Sequence, residues 1–279
     1  MKYKLLAFDM DGTLLTSDKK ITPATVAKLD ELSRRGVYVV VSTGRGLAEL
    51  SDYKKDFQSV RYGILISGGI VYDFFNQKTL AIHPVAEDLN LEIIDAGLDE
   101  GAMIHLLTLK NSVASQKDIS QMKNFKMEIY QPMFERICTR CDDFKKFIRE
   151  NPGEVLKVNL YHTSIESRNK TLERLKKFDL QLVFTEKTNV EASPKNITKG
   201  SGLIELCKIL KIGVDECVAI GDGFNDFEIL QTAGVGVAMG NARDEIKKIA
   251  DFVTDDNDNE GVLKAINKFF SDINARNSI

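Results

Sequence analysis

A chain of 279 residues, 43% hydrophobic and 28% charged, is long enough for one large or two ordinary domains and too apolar to be disordered. A net charge of −3 and a pI near 5.8 exclude a nucleic-acid binder built around a basic face, and no apolar run approaches the roughly 18 residues that span a bilayer. Four cysteines (Cys138, Cys141, Cys207, Cys217) without a signal-peptide pattern point to reduced thiols in the cytoplasm.

The chain opens with Leu5-Leu6-Ala7-Phe8, a short apolar run that reads as a buried parallel strand, and breaks into Asp9-Met10-Asp11-Gly12-Thr13. Thr22 as N-cap, Pro23 in the first turn and Gly36 after the end frame a crossover helix with Val26, Leu29 and Leu32 on one stripe. Val37 to Val41 is the second strand, ending in Ser42-Thr43-Gly44-Arg45. A β-α-β unit of this length implies parallel pairing. Leu47 to Lys55 is expected as a helix and Gly63 to Ile66 as a third strand running into Ser67-Gly68-Gly69. Ile70 to Tyr72 and Thr79 to His83 flank a polar turn, as in a small hairpin.

Between Pro84 and Thr188 the rhythm changes. A helix around Leu89 and Ile93, strands at Met103 to Leu109, Val155 to Tyr161 and Gln181 to Phe184, and a helix at Arg168 to Lys177 read as an inserted α+β domain of residues 84–188. Within it, Leu-Lys-Val-Asn-Leu-Tyr alternates apolar and polar residues, which predicts a sheet with one wet face. The parallel rhythm then resumes: helix Lys199 to Leu210, strand Cys217 to Ile220 ending in Gly221-Asp222-Gly223-Phe224-Asn225-Asp226, a short helix, strand Val235 to Ala238, helix Arg243 to Ile249, strand Phe252 to Thr254 and a last helix from Glu260 to Phe270. Residues 1–83 and 189–279 are therefore expected to form one Rossmann-like α/β core interrupted by the insertion.

Parallel strands present their carboxyl ends on one edge of a sheet, so Asp9 and Asp11, Ser42 and Thr43, and Asp222, Asn225 and Asp226 can converge there with Lys199. The residue types suit phosphoryl chemistry. A carboxylate can attack phosphorus, and a second carboxylic acid can protonate the leaving oxygen and then activate water. Mg²⁺ takes hard oxygen ligands, and a lysine and a hydroxyl can hold phosphoryl oxygens.

The set D-x-D-G-T, S-T-G-R, a lone lysine before a helix and G-D-G-x-N-D resembles the haloacid dehalogenase superfamily. The motif order and the mid-chain insertion resemble its Cof-type subfamily IIB phosphatases. That resemblance implies a Rossmann-like parallel-sheet core with an inserted α+β cap of type IIB, which closes over the site and sets specificity. It implies hydrolysis of small phosphorylated metabolites, sugar phosphates foremost, with Mg²⁺ as cofactor.

Carried over by residue, Asp9 is the expected nucleophile, and Asp11 the general acid/base that also lends its backbone carbonyl to Mg²⁺. The Met10 amide, Thr43, Gly44, Lys199 and Asn225 are expected to bind phosphate. Asp9, Asp11 and Asp222 are the expected metal ligands, with Asp226 ordering the site from behind. One departure stands out: the family's Asn-Gly-Ala after the third strand is here Ser67-Gly68-Gly69-Ile70, so Gly68 is read in the place of the asparagine.

Other patterns are weaker. Cys138-Thr-Arg-Cys141 would need two further zinc ligands, and His105 and His162 are poorly spaced for that role. Asp256 to Gly261 begins like an EF-hand, but Asn267 stands where a bidentate glutamate is required. Gly234, Gly236 and Gly240 miss the dinucleotide spacing. Within phosphoryl chemistry the rivals are a phosphomutase of the phosphomannomutase type and a non-catalytic phospho-ligand binder. Neither a nucleic acid, a membrane nor an obligate protein partner is expected.

Overall fold

The computed structural model describes residues 2–184 and 187–271; the extreme ends of the expected core, residue 1 and residues 272–279, lie outside them. The described chain divides into two compact units, one of Met1–Gly44, Tyr53–Ala81 and Thr198–Ile279, the other of Arg45–Asp52 and Ile82–Ile197.

The strands, in chain order, are β1 (Leu5–Phe8), β2 (Tyr38–Ser42), β3 (Tyr62–Leu65), β4 (Ile70–Asp73), β5 (Lys78–Ile82), β6 (Met103–Thr108), β7 (Ser112–Ala114), β8 (Cys138–Arg140), β9 (Val155–Tyr161), β10 (Leu180–Val183), β11 (Asn189–Pro194), β12 (Cys217–Gly221), β13 (Val235–Ala238) and β14 (Phe252–Val253). The first unit is built on an eight-stranded sheet ordered β14-β13-β12-β1-β2-β3-β4-β5. Pairing is parallel from β14 through to β3 and turns antiparallel at β4. Every residue of β1 and β12 is buried, as expected for central strands covered on both faces.

The first crossover helix, Pro23–Arg34, starts where Thr22 accepts a hydrogen bond from the Thr25 amide, and it buries Leu29 and Leu32. It packs beside the last helix, Gly261–Phe270, whose Val262, Ala265, Ile266 and Phe270 are buried. Leu47–Tyr53 is a 3₁₀ segment, not the expected α-helix. β3 stops at Leu65, because Ile66 and Ser67 both have positive φ, 53° and 55°.

The second unit carries a six-stranded sheet ordered β10-β11-β9-β6-β7-β8, antiparallel except between β7 and β8. One face packs on helices Glu87–Asp99, Phe144–Glu150 and Ile165–Leu175 through Ile93, Ile94, Phe144, Ile148 and Leu175. β11 pairs with β9 and β10, so residues 189–197 belong to this unit and the division falls after Ile197, not after Thr188. The short β7 and β8 and the helical turns Gln116–Ile119 and Gln131–Ile137 lie in a stretch whose period was not legible in the sequence.

The expected wet face of β9 is a correction. Lys157 and Asn159 alternate with apolar neighbours, yet both are buried. Lys157 pairs with Glu191 at 2.9 Å, and Asn159 stands in register between Glu191 and His105. The His105 ring lies 4.6 Å from that of Phe134, and Met122, Phe125 and Met127 build a second apolar cluster with Met103 and Ala114. A period of two says which side chains share a face, not what covers them. Burial, and the nearby Lys157 charge, lower the His105 pKa to about 3, so the ring is neutral. Among the described residues, no helix is long and apolar enough to cross a membrane.

Candidate active site

Strand register brings the first motif together with the others. Phe8 pairs with Val41 of β2 and Ile220 of β12, so the next step along the chain sets Asp9 across from Ser42 and Gly221. The Asp9 amide still donates to the Ile220 carbonyl at 3.0 Å, holding the nucleophile candidate in line with its strand. Thr43 is buried; its amide donates to Ile64 and its carbonyl accepts from Ser67, both at 2.9 Å. Gly44 follows it in the same bend.

Lys199 enters from a helix start. Thr198 and Ser201 form a capping box there, which fixes the first turn of helix Lys199–Leu210. The Lys199 side chain is wholly buried and its Nζ bridges Asp9 Oδ1 and Asp226 Oδ1, each at 2.6 Å. The other Asp226 oxygen accepts from the amides of Asp222 at 3.0 Å and Gly223 at 2.9 Å. Asp226 therefore holds both the lysine and the turn that carries Asp222. Asn225 lies in the same 3₁₀ turn, Phe224–Asp226.

Carboxylate oxygens of Asp9, Asp222 and Asp226 lie within 4.8 Å of one another, the one such acidic, histidine or cysteine group of three among the described residues. His162 is engaged at both ring nitrogens, by Thr188 and Thr171, which removes it from any zinc site with Cys138 and Cys141. Three carboxylates and one ammonium leave a formal charge of −2 in a buried place. Burial, then repulsion from Asp226 and Asp222, raise the Asp9 pKa well above the usual range against the pull of Lys199. Burial and Asp226 push Asp222 up to about 6, with the Thr13 hydrogen bond opposing. Burial works against the charge on Lys199, but the two carboxylates outweigh it and raise its pKa.

This donor set fits a hard divalent cation: oxygen ligands in charge excess, with Asp226 already committed to three donors and Asp9 and Asp222 not. Asp11 is not in the cluster. Its carboxylate accepts from Lys19 at 2.7 Å.

Several contributors had no signal beyond the motifs. Thr13 donates to Asp222 at 2.7 Å, Lys19 holds Asp11, and Asn241 donates to the Gly12 carbonyl at 2.8 Å. Thr13 lies inside the D-x-D-G-T motif; Lys19 and Asn241 lie in no motif. Gly12 is required twice over, by a φ of +79° and because a Cβ there would lie 2.4 Å from Asp222 Oδ2. Gly12→Ala is expected to displace Asp222 and to destabilise the fold by about 1–3 kcal/mol. A thermal melt coinciding with that of the wild type would contradict this tight packing.

Gly68 has φ +100°, and a Cβ on it would meet the Thr198 carbonyl oxygen at 2.1 Å. No asparagine side chain fits there. The polar residue of that turn is Ser67, in the left-handed region and linked through its amide to the Thr43 carbonyl.

A family profile described as haloacid dehalogenase-like hydrolase matches residues 6–266. The phosphatase YwpJ of Bacillus subtilis (strain 168) is 30% identical over 93% of this chain and 97% of its own. The 5-amino-6-(5-phospho-D-ribitylamino)uracil phosphatase YcsE of the same strain is 29% identical over 94% of each. A solved haloacid dehalogenase-like hydrolase from B. subtilis superposes with a TM-score of 0.85 at 26% identity, covering 95% of this chain and 99% of that one. The subclass IIB sugar phosphatase BT4131 shares the fold, with a TM-score of 0.82 at 22% identity over 96% of this chain and 99% of that one. With a family match over residues 6–266 and a relative 30% identical along almost its whole length, this chain belongs to the haloacid dehalogenase-like hydrolase family.

Proposed function

We propose that this protein is a Mg²⁺-dependent phosphatase that hydrolyses small phosphorylated metabolites through a phosphoaspartyl intermediate on Asp9. The observation that carries the reading is the Lys199 bridge between Asp9 and Asp226, with the Asp222 carboxylate beside them. Relatives named for phosphatase activity along almost the whole chain support the reaction class. The sugar phosphatase sharing the fold makes sugar phosphates the first substrates to test, and the uracil phosphatase widens the panel to phosphorylated ribityl compounds.

In this mechanism Lys199 favours the ionised form of Asp9 against the effect of burial, and Asp9 attacks phosphorus. The Met10 amide, the Thr43 hydroxyl, the Gly44 amide, Asn225 and Lys199 hold the phosphoryl oxygens as charge moves from substrate to carboxylate. Asp11 protonates the leaving oxygen, then takes a proton from the water that opens the acyl phosphate. Its pairing with Lys19 keeps its carboxylate outside the acidic cluster. The side chains of Asp9 and Asp222 and the Asp11 carbonyl would hold Mg²⁺, which supplies the positive charge that lets an anionic nucleophile approach a phosphate dianion. Substrate choice is assigned to the inserted unit.

The direct test is release of inorganic phosphate from a panel of phosphorylated sugars, nucleotides and ribityl compounds, with Mg²⁺ and with chelator. Phosphate release that persists unchanged in chelator defeats the metal requirement; isomer formation without phosphate release points to a mutase instead.

A pH experiment follows from Asp222. Its folded pKa of about 6 lies above the ordinary carboxylate value, so without metal its contribution to stability is present at low pH and fades as pH rises through about 6. A cation takes the ionised form, so protons compete with it below that value. Addition of Mg²⁺ is expected to raise the thermal midpoint more at about pH 7.5 than at about pH 5. Equal stabilisation at both pH values would contradict the assignment of Asp222 as a ligand.

A further inference from the structure

Two thiols outside the acidic cluster face each other in the first unit. Cys207 lies near the end of helix Lys199–Leu210 and Cys217 opens β12; they are 2% and 0% exposed, and their sulfurs stand 3.4 Å apart. The turn that joins them carries exposed Lys211 and Asp215, and the Cys217 thiol also lies 3.5 Å from the Gly213 carbonyl oxygen. Cys217 begins the strand whose far end leads into Asp222, and Cys207 is two helical turns beyond Lys199, so the pair sits at the opposite edge of the sheet from the acidic cluster.

We propose that Cys207 and Cys217 are a modification site, joined reversibly as a disulfide when the protein meets a hydroperoxide. The sulfurs need to close from 3.4 Å to about 2.05 Å. Cys207 is taken as the attacking sulfur: the sulfur–sulfur contact lowers its pKa, while that contact and then burial raise that of Cys217. The Cys207 thiolate attacks one peroxide oxygen, the O–O bond breaks, and Cys207 becomes a sulfenic acid while the other oxygen leaves with the thiol's proton as water or alcohol. The Cys217 sulfur then attacks the Cys207 sulfur. The S–S bond forms, the S–O bond breaks, and the oxygen departs as water with the Cys217 proton. The two thiols lose two electrons and the hydroperoxide gains them.

The remaining cysteines are an internal comparison. Cys138 and Cys141 are half-buried, and burial pushes the Cys138 thiol up to about 12 and raises Cys141. They are poorer thiolates than Cys207.

The experiment treats the native full-length protein with hydrogen peroxide, alkylates remaining thiols after denaturation, and maps tryptic peptides by mass spectrometry. The expected product links the peptide of residues 200–208 to that of residues 212–243, lacks two hydrogens, and returns to the dithiol with dithiothreitol. The oxidised protein melts about 3–8 °C higher than the reduced one, because a short loop is closed in the unfolded chain. The Cys138→Ala/Cys141→Ala variant gives the same linkage and shift, and Cys207→Ser gives neither. Sulfinic or sulfonic acid at Cys207 without linkage, a Cys138–Cys141 bond in its place, or four thiols still open to alkylation would each overturn the proposal.

Discussion

Asp9→Asn is expected to lower phosphate release by about four to six orders of magnitude, the scale on which removal of a covalent nucleophile acts. The fold should survive. Asp9 is a buried carboxylate whose charged form is disfavoured by burial and by two neighbouring carboxylates, and removing that charge relieves the repulsion. Lys199 keeps Asp226 at 2.6 Å, so no ammonium is stranded. The thermal midpoint is therefore expected to hold or rise slightly while activity disappears. Steady-state assays and a melting curve on the same preparation check both, with mass spectrometry to exclude deamidation back to aspartate. Wild-type turnover from an Asp9→Asn preparation free of deamidation would remove Asp9 from the nucleophile role.

Lys199→Met is expected to do the reverse to stability. Methionine fills a similar volume, but Asp9 and Asp226 then face each other buried and without their shared cation. Breaking a buried pair by deleting one partner costs about 3–5 kcal/mol, which corresponds to a drop of roughly 6–20 °C in the melting midpoint. The Asp226 end of the bridge also supports the amides of Asp222 and Gly223, so the loss spreads to the metal-binding turn. Phosphate release is expected to fall by about three orders of magnitude, as when a preorganised charge is withdrawn from a developing anion. Melting and phosphate release measured together separate the two effects. A variant as stable as the wild type would mean that Lys199 is not the keystone of the cluster. The contrast between the two substitutions is itself diagnostic, because an ordinary solvated salt bridge would contribute no more than about 1 kcal/mol to either.

The core was legible because parallel strands covered on both faces must be continuous apolar runs. Leu5–Phe8, Val39–Val41 and Cys217–Ile220 could be little else, and the polar residues immediately after them had to lie on one edge. The caps of the first helix, Thr22, Pro23 and Gly36, are equally local and were equally readable. The inserted sheet was less so. β7 and β8 are three residues each, too short to show a period, and the segment between them takes its shape from tertiary packing around Met122, Phe125 and Phe134.

What the sequence determined by itself was therefore the set of strand ends, their chemical types and their order along the chain. Those follow from near-neighbour rules: apolar runs, turn glycines and caps act over a few residues. Only the tertiary structure decided which oxygens meet. It set Lys199 between Asp9 and Asp226, gave Asp222 to Thr13, drew the Asp11 carboxylate away to Lys19, and left room for no side chain at Gly12 or Gly68. It also buried Lys157 and Asn159 on a face that alternation marked as wet. The physical reason is the same in each case. Hydrogen bonds and ion pairs between residues far apart in the chain depend on distances of a few tenths of an ångström, which no local pattern encodes.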